Sequence, residues 1–167
     1  MLEQVIIPGT PSWLPTSGAG VVGGGVLCSN GIVNGIYQGS HKYVPFVLNG
    51  INWVAPNGED VISYPFTGCI MAVFTYGGIR RVCHVSTGAG QDCKAQWEQI
   101  KSQSTNVFEF KPSDFIDSGG SAMLGCYGLI TADLQTYAIT VVSGGVAVGG
   151  LSPSPKIASV VRARLLR

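Results

Sequence analysis

Charge is scarce in this chain. Only 11% of the 167 residues are Asp, Glu, Lys or Arg, and ten basic against nine acidic residues leave a net charge of +1. Such a surface has no field of one sign to recruit nucleic acid or a membrane, so a phosphate-tracking protein is disfavoured. Long apolar runs are missing too. Gly or Pro interrupts each of them short of the roughly 18 residues a spanning helix needs, and the first residues lack the basic and apolar regions of a secretory leader. Neither a membrane span nor a cleavable signal is expected. The five cysteines (Cys28, Cys69, Cys83, Cys93 and Cys126) contain no C-x-x-C spacing, and His41 and His84 lie far apart in sequence. A zinc site is therefore not expected, and the odd count leaves at least one thiol free. There is no internal repeat and no Gly-X-Y period.

What is present is apolar and turn-rich. Hydrophobic residues make up 46% of the chain, enough for a real core, and 24 Gly with nine Pro favour short strands joined by turns. The length fits one domain over 1–167, with an irregular Gly/Pro-rich lead-in over 1–25 and a basic tail over 152–167. Strands are predicted over 31–37, 43–53, 61–64, 68–76, 80–86, 107–111, 122–131, 136–142 and 146–151. One helix is predicted after Asp92 as N-cap, with Cys93, Trp97 and Ile100 on its apolar face and Lys94, Glu98 and Lys101 opposite. The break at Asp133, Leu134 and Gln135 predicts a hairpin between two apolar runs. Residues Lys156, Arg162, Arg164 and Arg167 read as a solvated terminal segment after the Ser152 to Pro155 spacer. Gly18 to Gly23 matches G-x-G-x-x-G, but Pro11 and Pro15 spoil a preceding strand and further glycines spoil a following helix. No dinucleotide cofactor is expected from it.

The chemistry concentrates in residues 66–86. Two predicted strands flank Gly77-Gly78, whose glycines supply the positive φ of a tight hairpin. A turn centred there sets Cys69 opposite Ser86, Met71 opposite His84, and Val73 opposite Val82. Cys69 and His84 thus share one face as diagonal neighbours, roughly 7 Å apart between backbones. Ile70, Ala72, Phe74, Cys83 and Val85 take the other face, so both sides are apolar and the strands should be central. A thiol beside an imidazole can lose its proton to the ring and leave a thiolate nucleophile at neutral pH. The thiolate would attack a carbonyl, the ring would carry the proton to a leaving amine, and water would release the acyl group. Amides around Gly68 and Cys69 could form an oxyanion hole, with Gly68 permitting close approach. The same two residues also fit a plainer reading, a small buried hydrophobe and a satisfied core histidine. His41, between Ser40 and Lys42, reads as a solvated loop residue.

Thr67-Gly68-Cys69, then His84 fifteen residues later, then Ser86-Thr87-Gly88, resembles elements of two bacterial toxins. These are the Ser-Gly-Cys and His-Thr-Gly of the cytotoxic necrotizing factor catalytic domain and the Ser-Gly-Cys and Trp-His of Burkholderia lethal factor, both glutamine deamidases. The resemblance covers about 25 residues and implies a mostly β, α+β domain: a two-sheet β-sandwich of mixed strands with one or two short helices. It implies Cys69 as nucleophile, His84 as base, Thr67 as the hydroxyl two residues before the nucleophile, and Ser63 as the hydroxyl six residues before it that orients the imidazole. Thr stands where the toxins have Ser before the glycine, and Val85 and Ser86 separate His84 from Thr87. The expected function is conversion of a protein glutamine side chain to glutamate without a cofactor. Its partner is a protein substrate with an exposed glutamine, and its setting a bacterial effector secreted or delivered to a host cell without a classical signal peptide. Transglutaminase or protease activity shares the thioester step, and oligomeric state is left open. The alternative is a non-enzymatic, Gly-rich β-sandwich binding or assembly module.

Overall fold

Gly77 and Gly78 turn the chain with φ of +58° and +77° and join two strands in the expected register. Met71 pairs with His84 and Val73 with Val82 across this hairpin. A computed structural model describes residues 2–14, 24–26, 36–38, 41–88, 91–144 and 154–166. Gly18 to Gly23, Cys28, the predicted strand over 146–151 and Arg167 lie outside these residues. The described strands are β1 (Gly24–Val26), β2 (Ile36–Gln38), β3 (His41–Pro45), β4 (Ile51–Val54), β5 (Asp60–Tyr64), β6 (Ile70–Tyr76), β7 (Ile79–Val85), β8 (Thr87–Gly88), β9 (Gln91–Asp92), β10 (Thr105–Phe110), β11 (Met123–Ile130), β12 (Thr136–Ser143) and β13 (Pro155–Arg162). One α-helix, α1 (Lys94–Ser102), and single 3-10 turns at Leu2–Gln4 and Pro112–Phe115 complete the set.

Two sheets carry the fold, which is the mostly β arrangement expected. One has five strands in the order β1-β4-β7-β6-β10, all antiparallel; the other has six, β13-β12-β11-β5-β3-β2, with β3 and β5 parallel. Side chains from both sheets meet between them: Val54, Met71, Val73, Val82 and Phe110 from the first, Val44, Val61, Cys126, Ile130 and Ala138 from the second. The outer faces are covered differently. Helix α1 lays Trp97 and Ile100 over Ile51, Phe74, Cys83 and Val85, while Leu2, Ile6 and Leu14 of the lead-in cover Tyr43, Ile62, Tyr127 and Leu129. Each such side chain taken from water contributes about 1.5–3 kcal/mol, so both strands of the central hairpin are held from two sides.

Four sequence expectations change. The single strand over 43–53 is two, β3 and β4, in different sheets, because Asn49 (φ +60°) and a turn from Val47 O to the Gly50 N–H carry the chain across the sandwich. The helix is capped by Cys93 and not by Asp92, with no side-chain cap bond, because Asp92 pairs with Thr87 in the β8–β9 ladder. The basic segment over 152–167 is no solvated tail: β13 pairs along β12, buries Ile157, and accepts lead-in residues 9–12 on its other side. Pro155 opens this strand, where its missing N–H removes no rung. His41 is not a solvated loop residue. It is 5% exposed on β3, opposite Asp60, with Trp13 edge-on to its ring.

Candidate active site

β6 and β7 lie inside their sheet, so alternate side chains of the hairpin face the other sheet across the core and the rest lie beneath α1. Cys69 belongs to the inter-sheet cluster while Cys83 belongs to the outer one beneath α1, as side-chain alternation requires. Cys69 and His84 therefore share the inner face. From the opposite sheet β5 brings Ser63, whose Oγ lies 2.7 Å from His84 Nδ1 and also donates to the Val44 carbonyl. These two contacts fix the ring. Ser63 has one hydroxyl hydrogen, and a carbonyl can only accept it, so Nδ1 must be the protonated nitrogen and donate to Oγ. Nε2 keeps its lone pair and has no hydrogen-bond partner. Phe66 stacks on the imidazole with centroids 4.0 Å apart and planes 8° apart, and Phe46 leans on it at 5.3 Å. Gly128 on β11 makes room for this arrangement: a Cβ there would come within 2.6 Å of Met71 Sδ and 3.0 Å of Phe66. Asn52, paired with His84 from β4, donates to the Pro45 carbonyl at 3.1 Å.

Cys69 stands where the ladder ends. Phe110 with Met71 is the last rung between β10 and β6, and Pro112 follows two residues later without an N–H. The amides of Gly68 and Cys69 donate to no backbone carbonyl among the described residues. That is the property an oxyanion site needs. Gly68 has φ +145°, a region closed to residues with a Cβ, and its carbonyl accepts the Thr87 hydroxyl at 2.8 Å. Thr67 is exposed and hydrogen-bonds to neither Cys69 nor His84. The structure thus joins Ser63 to His84, places Cys69 on their face, and leaves Thr67 at the surface.

The expected thiolate at rest is corrected by the electrostatics. Burial pushes the Cys69 thiol above its ordinary pKa, and hydrogen bonding from Thr87 and the charge of Lys111 oppose that only in part. Burial likewise pushes the His84 imidazole down to about 3. Both shifts favour the neutral forms, so the resting pair is thiol and imidazole. His84 Nε2 makes no bond to the thiol. Proton transfer across the diagonal needs rotation of Cys69 or one bridging water. His84 is fully buried and Cys69 is 8% exposed. Two surface cavities, of about 170 Å³ beside Arg80 and Thr131 and about 210 Å³ beside Gly9 and Lys156, are lined by neither residue.

Sequence reasoning missed Asn52 and left Thr87 without a role. Asn52 was hidden inside a strand read as continuous, although Asn49-Gly50 is a turn signal. Among the described residues no group of three or more His, Cys, Asp or Glu is placed to hold a metal, and no helix is long and apolar enough to cross a membrane. No protein-family model, curated protein or solved structure matches the chain. The class the fold defines is a mixed two-sheet β-sandwich with a Cys, His and Ser constellation in its core.

Proposed function

We propose that the chain is a cysteine-dependent protein-glutamine deamidase, acting as a bacterial effector on a protein with an exposed glutamine. The observation that carries this reading is the Ser63 contact to His84 Nδ1, which leaves Nε2 as a free proton acceptor on the face that holds Cys69. Cys69 Sγ attacks the side-chain carboxamide carbon as its proton passes to Nε2. The oxyanion meets the amides of Gly68 and Cys69, which donate to no backbone carbonyl among the described residues. The tetrahedral adduct expels ammonia with the proton from Nε2 and leaves a thioester. Water, deprotonated by the same nitrogen, then hydrolyses the thioester to glutamate and restores the thiol. Both partners rest neutral, so the thiolate forms only as the thiol passes its proton to Nε2 in the course of the reaction.

The burial of His84 favours a second reading, a non-enzymatic binding or assembly module that needs no path to the ring. The two separate in one experiment. Incubation with a host-cell lysate, followed by peptide mass spectrometry, should reveal a gain of about 1 Da at one glutamine, the change that replacing NH₂ by OH requires. The gain should vanish with Cys69→Ala. A lysate left unmodified by the wild-type chain supports the module.

A further inference from the structure

β7 ends at Val85, and the chain then bends: Ser86 donates its N–H to Gly50 O, and Ser86 O accepts the Cys93 N–H. The bend carries Thr87 off the plane of the β6–β7 ladder and onto the loop before Cys69. There its hydroxyl donates to Gly68 O at 2.8 Å. This single bond holds a residue whose φ of +145° only glycine adopts without strain, immediately before the sulfur. Thr87 is half-buried, so water competes weakly for the hydroxyl.

We propose that Thr87 is a positioning residue for Cys69, its hydroxyl clamping the Gly68 carbonyl in the resting protein and turning to the sulfur when the thiolate forms. The proposal rests on Cys69 being the nucleophile. A hydroxyl has one hydrogen, so it cannot serve the carbonyl and the anion fully at once. In the thiol state the carbonyl is the better acceptor; a thiolate is an ionised acceptor and draws the donor more strongly. Hydrogen bonding from Thr87, through its backbone as well as its side chain, already favours the ionised form of Cys69. The backbone N–H survives any substitution at this position, so the side chain's share can be measured alone.

The test is the pH profile of iodoacetamide alkylation at Cys69, resolved by peptide mass spectrometry, in wild type, Thr87→Val and Thr87→Ser, alongside thermal melting. Thr87→Val, nearly equal in volume, should slow Cys69 alkylation about tenfold and move the profile to higher pH by about one unit. Thr87→Ser, which keeps the hydroxyl, should stay within about twofold of wild type. A Thr87→Val profile that superimposes on wild type overturns the proposal, and so does a Thr87→Ser protein as slow as Thr87→Val, since packing would then explain both. Alkylation needs no substrate, so the result is independent of ammonia release. A shifted Thr87→Val profile in a chain that deamidates nothing would retain Thr87 and reject the deamidase; an unshifted profile in an active deamidase would do the reverse.

Discussion

Cys69 and Cys83 sit on one hairpin, in equally apolar company, and face opposite ways. Cys83 lies under α1 with no exposure, and burial together with the negative charge of Glu109 pushes its thiol far up. Cys69 lies between the sheets at the ladder's end, and there Thr87 and the positive charge of Lys111 work against burial. Glu109 is held on the helix side, accepting from Trp97 Nε1 at 2.5 Å and Lys101 Nζ at 3.0 Å. Burial is the largest influence on both thiols and raises both; what separates them is the sign of the nearest charge, which opposes burial at Cys69 and adds to it at Cys83, where only a hydrogen bond from the Ala72 backbone works the other way.

The largest effect expected from breaking this contrast is at the sulfurs. Cys69→Ala should lower ammonia release from a glutamine-bearing substrate by at least about a thousandfold, whereas Cys83→Ala should leave it within about twofold and cost about 1 kcal/mol in urea unfolding. His84→Gln should follow, slowing the reaction by about 10²–10⁴. It should also change the acid limb of stability. His84 takes up a proton near pH 6.5 when unfolded and only near 3 when folded. The unfolded chain thus binds more protons between those values, so stability present above 6.5 falls as the pH drops toward 3, by up to about 1.4 kcal/mol per unit. Unfolding curves of His84→Gln should be flatter across that window. His41, also lowered by burial, contributes in the same direction and remains in the variant.

Ser63→Ala comes next. It strands the His84 Nδ1–H and the Val44 carbonyl in the core, so it should cost about 1–3 kcal/mol in chemical denaturation and lower the rate by freeing the tautomer. Ser63→Thr, which keeps the hydroxyl, should retain most of both. The smallest effect is at Lys111. Lys111→Met should slow Cys69 alkylation by less than about threefold at low salt, with the difference fading in 0.5 M salt, about where screening removes it.

Much of this arrangement could be read from residue order. Gly77-Gly78 fixed the turn, the turn fixed the register, and alternation then put Cys69 with His84 and Cys83 against them. The Ser63 contact was legible only through the resemblance, because β5 and β7 belong to different sheets and no local spacing links them. The burial of His84 was legible as the plainer reading, a core histidine on a central strand, but its ring partners were not, since Phe46 and Phe66 arrive from loops that cross between sheets. β13 was misread because Lys156 and Arg162 flank a short apolar core at the sheet's margin, a composition shared by edge strands and solvated tails. Its partner lies in the lead-in at the far end of the chain.

The most direct measurement is peptide-resolved iodoacetamide labelling of the folded protein at pH 8, comparing Cys69 with Cys83, Cys93 and Cys126. Burial holds Cys126 up at about 12 and keeps Cys93 2% exposed, so neither should compete. Cys69 should label at least about tenfold faster than these three, and His84→Gln should slow it by a similar factor. Equal labelling of the four, or a Cys69 rate that ignores His84, would contradict the pairing of sulfur with imidazole on which the account stands.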